Sequence, residues 1–243
     1  LFGAEAYRRD LNNLHKYFNL ETQDSLAMIQ KERRGILFID VQRKLNFYLR
    51  ALWGRDFFLR PVASDAGGFH PYIQAQVLHL PDAVDEIQGI SGMELFRAIA
   101  AHLAAHIMYT RAAINRQELS PAQMFFIGMA EDARVEYNAV TAFPGLKTLW
   151  VKLLSITYSD QPEHPTLLML EKTAFALLES SHKTGDLALD TVVEKFHSQI
   201  ESNRMNGMFA WHIGLELFNI FANRRDVPSL RILENIRIPY RDD

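Results

Sequence analysis

The chain contains no cysteine, so disulfides and thiolate metal sites are both excluded. That fits a reducing compartment, and the protein is expected to be cytoplasmic. It also has no apolar run of the roughly 18–20 residues needed to span a bilayer. Charge of one sign is scarce: the net value of −3 gives no electrostatic case for nucleic acid or an anionic membrane as partner. A phosphate-binding loop is missing, because Gly89 to Gly92 is too short for one and lacks the lysine. No serine stands in a nucleophile motif. The start at Leu1 has no signal-peptide pattern, and the ending Tyr240-Arg241-Asp242-Asp243 is polar and unfinished. These ends lead us to expect a piece of a longer protein.

What is present is ordinary globular material, 48% apolar and 23% charged over 243 residues, enough to bury a substantial core. Apolar residues recur at helical spacing through most of it. The pattern predicts helices over about 4–18, 22–35, 39–53, 92–115, 120–142, 145–158, 164–181, 187–202 and 206–223. The start near 120 is the best defined, with Ser120 as N-cap, Pro121 at the first helical position and Gln123 completing a capping box. Two β-prone segments, Phe57 to Val62 and Tyr72 to Leu78, flank Ala66-Gly67-Gly68 and predict a β-hairpin closed by Leu80-Pro81-Asp82. Pro61 makes the first strand short or an edge. The tail from Val227 to Tyr240, with two prolines, reads as an extended arm. The expected architecture is mainly α: one helical domain over residues 1–243 with a small β-hairpin insert, open to a degenerate zincin-like core.

One motif carries chemistry. His102-Leu103-Ala104-Ala105-His106 puts two imidazoles one helical turn apart, the spacing of a zinc-protease HExxH helix. Leu103 stands where the catalytic glutamate would be, so the frame lacks its general base and hydrolase activity is not expected. Downstream, Glu131-Asp132-Ala133-Arg134-Val135-Glu136 is a dense carboxylate cluster on the next helix. A short connection makes the two helices antiparallel neighbours, which brings the cluster towards the histidines. Two readings follow. His102, His106 and Glu131, with Asp132 and Glu136 as alternative carboxylates, can ligate zinc. Equally, Asp132, Arg134 and Glu136 can form a metal-free structural network, with Arg134 three residues from Glu131 and able to neutralise it. The other histidines (His15, His70, His79, His164, His182, His197 and His212) show no ligand spacing.

The string from Glu131 to Glu136, followed by Phe143-Pro144-Gly145-Leu146 and Leu149-Trp150 and preceded by the two histidines, resembles the N-terminal region of the CbbO/NorD proteins. The resemblance is strongest over residues 78–150. It implies an adaptor that works with a hexameric MoxR-type AAA+ ATPase (CbbQ or NorQ). It also implies that a target enzyme is held by a von Willebrand factor A adhesion domain, which this sequence does not contain. By the same resemblance the protein would act as a chaperone-like activator of inhibited rubisco or, alternatively, in maturation of nitric oxide reductase.

Overall fold

The computed structural model describes residues 35–62, 71–110, 119–157 and 165–233, scattered positions between 15 and 25, and residues 236, 238, 240 and 241. Among them the fold is mainly helical with a few short strands. The first two expected helices lie largely outside the described residues. The third is α1 (Phe38–Trp53), preceded by the two-residue strand β1 (Ile36–Leu37). Phe38, Val41, Leu45 and Leu49 recur at helical spacing and are its buried face. Gly54 ends the helix in the left-handed conformation, donating its N–H to the Arg50 carbonyl.

The β insert is not the hairpin that the sequence suggests. It is a three-stranded sheet in the order β2 (Phe58–Val62), β4 (Val77–Pro81), β3 (Tyr72–Gln74). β2 runs parallel to β4, with Arg60 opposite His79, and the hairpin partners are β3 and β4, with Gln74 opposite Val77. The turn between them is Ala75-Gln76, both at positive φ (49° and 65°), which is the two-residue geometry of a type I′ turn without its usual Asn-Gly. With no glycine to mark it, the segment reads as one strand in the sequence. The proposed turn at Ala66 to Gly68 lies outside the described residues. Pro61 does sit on an edge strand, where its missing N–H breaks no central ladder. After Pro81 the chain pairs once more, β5 (Ala83–Val84) running antiparallel to β1.

α2 (Gly92–Tyr109) and α3 (Pro121–Ala142) form the centre. Both begin with the same device, a complete capping box: Ser91 with Glu94 for α2, Ser120 with Gln123 for α3. From Leu95 to Ala105, α2 is buried at every position except Arg97. Its alanines (Ala98, Ala100, Ala101, Ala104 and Ala105) let neighbours approach on several sides: α1, β4 and β5, α3, and α4 (Gly145–Thr157). α3 is packed by α5 (Pro165–Leu178) and most extensively by α7 (Gly207–Asn223), with α6 (Leu187–Asn203) bracing α5 and α7. At Gly214, α7 comes so close that a methyl group there would lie 2.5 Å from the Ile127 Cα.

The tail is not a free arm. After the short α8 (Leu230–Leu233), Ile236, Ile238, Tyr240 and Arg241 are all buried. Tyr240 and Arg241 reach Trp150 and Glu136 in the middle of the molecule.

Candidate metal centre

Contacts between α2 and α3 run in opposite senses along the two helices: His102 faces Glu136, His106 faces Asp132 and Thr110 faces Glu131. The pair is therefore antiparallel, and the i, i+4 spacing of the histidines is matched by the i, i+4 spacing of Asp132 and Glu136. His102, Glu136 and Asp132 are buried, and the His106 side chain retains only 11% exposure.

Nε2 of His106 lies 3.1 Å from Asp132 Oδ1, and Nε2 of His102 lies 3.9 Å from the same oxygen. His102, His106 and Asp132 each place one ligand atom within 4.8 Å of the others, so the group can hold a metal ion. The far side of each ring supports that use. His102 Nδ1 faces Glu136 Oε1 at 3.2 Å. Burial by itself would raise the Glu136 carboxyl, but Arg241 and His102 outweigh it and hold it down to about 2. It is then an acceptor only, and Nδ1 is the nitrogen of His102 turned to it. His106 Nδ1 lies 3.1 Å from Thr110 Oγ1, whose own proton goes to Glu131 Oε1 at 2.8 Å. The hydroxyl therefore accepts from Nδ1–H. Both rings thus turn Nδ1 to an outer partner and Nε2 to one carboxylate oxygen, the arrangement of metal-ligating histidines and their outer partners.

Charge agrees with geometry. Arg241 donates through Nε and Nη2 to the two oxygens of Glu136, at 2.9 and 2.7 Å, and its Nε is 3.8 Å from Asp132 Oδ2. Two buried carboxylates against one guanidinium leave the cluster one positive charge short. Either a second proton on one of the two imidazoles or a cation between Nε2 and Oδ1 makes up the difference. Ligands about 2.0–2.1 Å from a tetrahedral zinc are separated by about 3.3 Å. The two nitrogen–oxygen separations, 3.1 and 3.9 Å, bracket that value, and all three ligand atoms lie within 4.8 Å of one another, so the group suits such an ion once its ligands draw inward.

Glu131, taken from the sequence as the first-choice carboxylate ligand, points elsewhere. It accepts from Arg134 Nε at 2.7 Å, as the i, i+3 spacing suggests, and from Thr110. Arg134 is itself buried and donates to the carbonyls of Tyr109 and Arg204, tying the end of α2 to the end of α6. Asn138 adds a bond to the Arg204 carbonyl at 2.8 Å. Asp132 takes the place against the histidines. Glu94, about two turns from the histidines and for that reason a poor substitute for the missing base, is committed to the α2 capping box and to Lys152 at 2.9 Å.

Sequence reasoning missed Thr110, Tyr240 and Arg241. The Tyr240 ring stacks on Trp150 (centroids 5.8 Å apart, 12° between planes) and meets the His102 ring edge-on at 5.5 Å. One signal was available: Ile236, Ile238 and Tyr240 alternate with other residues just before an arginine, while the 131–136 string has more carboxylates than Arg134 can neutralise. Among the other histidines, buried His79 stacks on Tyr72, and His197 bonds the Ala176 carbonyl at 2.7 Å.

A cleft of about 570 Å³ lies between α1, the start of α2 and the Phe143-Pro144-Gly145-Leu146 turn, with Arg97 and Lys152 among its walls. Neither histidine of the centre, nor Asp132, lines it. Among the described residues, no helix is long and apolar enough to cross a membrane. Comparison with family models, with curated proteins and with solved structures finds no match.

Proposed function

We propose that this chain is a non-catalytic, cytoplasmic adaptor domain of the CbbO/NorD type. It binds a MoxR-type AAA+ ATPase hexamer and passes the motion of that ring to a target enzyme, with inhibited rubisco as the favoured target and nitric oxide reductase maturation as the alternative. The observation that supports this reading is the fate of the carboxylates in the marker string. Glu136 is taken up by Arg241, Glu131 by Arg134 and Thr110, and Asp132 by the histidines. Leu103 is fully buried and occupies the position that the general base holds in the HExxH motif. The marker residues thus serve to join helices, which is work for a domain that transmits force. Retention of this chain on an immobilised cognate ATPase hexamer is the expected result, and failure to bind under nucleotide-bound and nucleotide-free conditions would overturn the adaptor reading.

The convergence of two Nε2 atoms and one carboxylate oxygen favours zinc as the occupant of the centre, held for architecture rather than turnover. Protein purified without chelator or affinity tag should carry close to one equivalent. Less than about 0.1 equivalent would rule the ion out as a resident part of the fold. A metal-dependent hydrolase is the reading of another class, and Leu103 argues against it.

A further inference from the structure

The geometry points to the C-terminal tail as the clasp of this metal centre: Arg241 is a positioning residue for the ion's ligands, so docking of the tail and loading of the ion are coupled. The inference rests on the zinc reading above and adds a partner to it that the histidine motif does not contain.

Three contacts carry it. Arg241 uses two donors on the two oxygens of Glu136, which fixes the plane of that carboxylate. Oε1, one of the two oxygens so held, is the atom that faces His102 Nδ1. Arg241 therefore acts on the ligand through Glu136, which sits on the Nδ1 side of His102 while Nε2 faces Asp132. The same guanidinium approaches Asp132 on its Oδ2 side at 3.8 Å, while Oδ1 is the oxygen turned towards both Nε2 atoms. Next to it, Tyr240 lies against Trp150 on one side and His102 on the other, which restricts how the imidazole can tilt. Two consecutive tail residues thus meet both ligands, Arg241 reaching Asp132 directly and His102 through Glu136, and Tyr240 lying against His102.

The physical consequence is reciprocal. Loss of an outer-shell partner typically weakens metal affinity by about 10–100-fold. By linkage, an ion that binds that much more tightly to the clasped state holds the tail in place by the same factor. Zinc would then shift the tail towards its docked position, and displacement of the tail would release zinc.

The test uses the full chain. Zinc affinity is measured by competition with a chromophoric chelator, and Co2+ is substituted to read ligand geometry from its visible absorption. Hydrogen exchange at Ile236, Ile238, Tyr240 and Arg241 is followed with and without zinc. Arg241→Gln should weaken zinc by about 10–100-fold and lower the tetrahedral Co2+ band. Arg241→Lys should restore only part of the affinity, because an ammonium cannot grip both oxygens of Glu136 in one plane. In the unaltered protein, zinc should slow exchange of the tail amides. Wild-type zinc affinity in Arg241→Gln would overturn the clasp while leaving the zinc reading intact. Tail exchange that ignores zinc would do the same, and it needs no variant that might fail to fold. No zinc binding by the unaltered protein would remove both.

Discussion

The crossing of α7 over α3 can be tested with one methyl group. Gly214→Ala adds a Cβ that would sit 2.5 Å from Ile127 Cα, 2.7 Å from Ile127 N and 2.7 Å from Phe126 O, all of them backbone atoms that cannot rotate away. Carbon atoms pack at about 3.5–4.0 Å, so the helices would have to separate by about 1 Å at their closest point. A gap of that size forfeits about a quarter to a half of the dispersion energy across it. The loss falls on Phe126, fully buried against Phe221 with ring centroids 5.1 Å apart. Alanine is favoured over glycine inside a helix by about 1 kcal/mol, which offsets part of this. Overpacking of a close-packed interior costs about 1–3 kcal/mol, and with no side chain free to yield we expect a net loss of about 2 kcal/mol. Gly128, on α3, is the control: a Cβ there meets nothing within 4 Å. Gly128→Ala should stabilise by about 0.5–1 kcal/mol through helix propensity alone. Urea denaturation followed by far-UV circular dichroism measures both. For a chain of this length Tm should fall by about 4–8 °C in the first variant and rise by about 1–4 °C in the second. Equal or greater stability of Gly214→Ala would refute the backbone-to-backbone crossing.

Four further outcomes are expected. Arg241→Met strands Glu136 without its counter-charge and should cost about 3–5 kcal/mol, more than half of it recovered by adding Glu136→Leu; a double-mutant cycle with no coupling would contradict the buried pair. Glu94 is held down to about 2 by the Lys152 ammonium and the Ser91 hydroxyl and N–H, so its contribution is complete above its ordinary value near 4.5 and lost as pH falls towards 2; the stability gap between the wild type and Glu94→Gln should therefore close on acidification, and a gap that widens would reverse the sign of the argument. With chelator present, His106→Ala should cost about 1–3 kcal/mol by removing the nearer ring nitrogen from Asp132 and the one that faces Thr110, while the helical content stays unchanged by circular dichroism. Replacing Ala75-Gln76 by Asn-Gly should stabilise the β3–β4 hairpin by about 1 kcal/mol, since both positions require positive φ; no gain in chemical denaturation would count against that turn.

Local chemistry decides how much of this was legible. The start of α3 was readable because Ser120, Pro121 and Gln123 act within one turn of each other. The β3–β4 turn was not, because neither Ala75 nor Gln76 announces a positive φ, and only pairing of the flanking residues with their partners holds them there. In the metal centre, the two histidines follow from helical spacing alone. The choice between Glu131 and Asp132 depends on helix rotation, and Arg134, one turn on, draws Glu131 away from the histidines. For Arg241 the apolar alternation just before it was the sole local signal, and its role exists only once the tail crosses the molecule.

The buried charges of α3 also bear on the order of assembly. Arg134 needs the carbonyl of residue 204, seventy positions later, and Glu136 needs residue 241. A nascent chain that has made α2 and α3 but not α6 or the tail would have to bury Glu136 without its guanidinium and Arg134, although paired with Glu131 and the Tyr109 carbonyl, without its acceptor on residue 204. Such a fragment should stay expanded, because the contacts that make the pair's interior tolerable are of high contact order. The helix pair is therefore the centre of the finished molecule but a poor candidate for its first folding unit. Truncations between residues 180 and 204 are expected to collapse cooperativity rather than trim it.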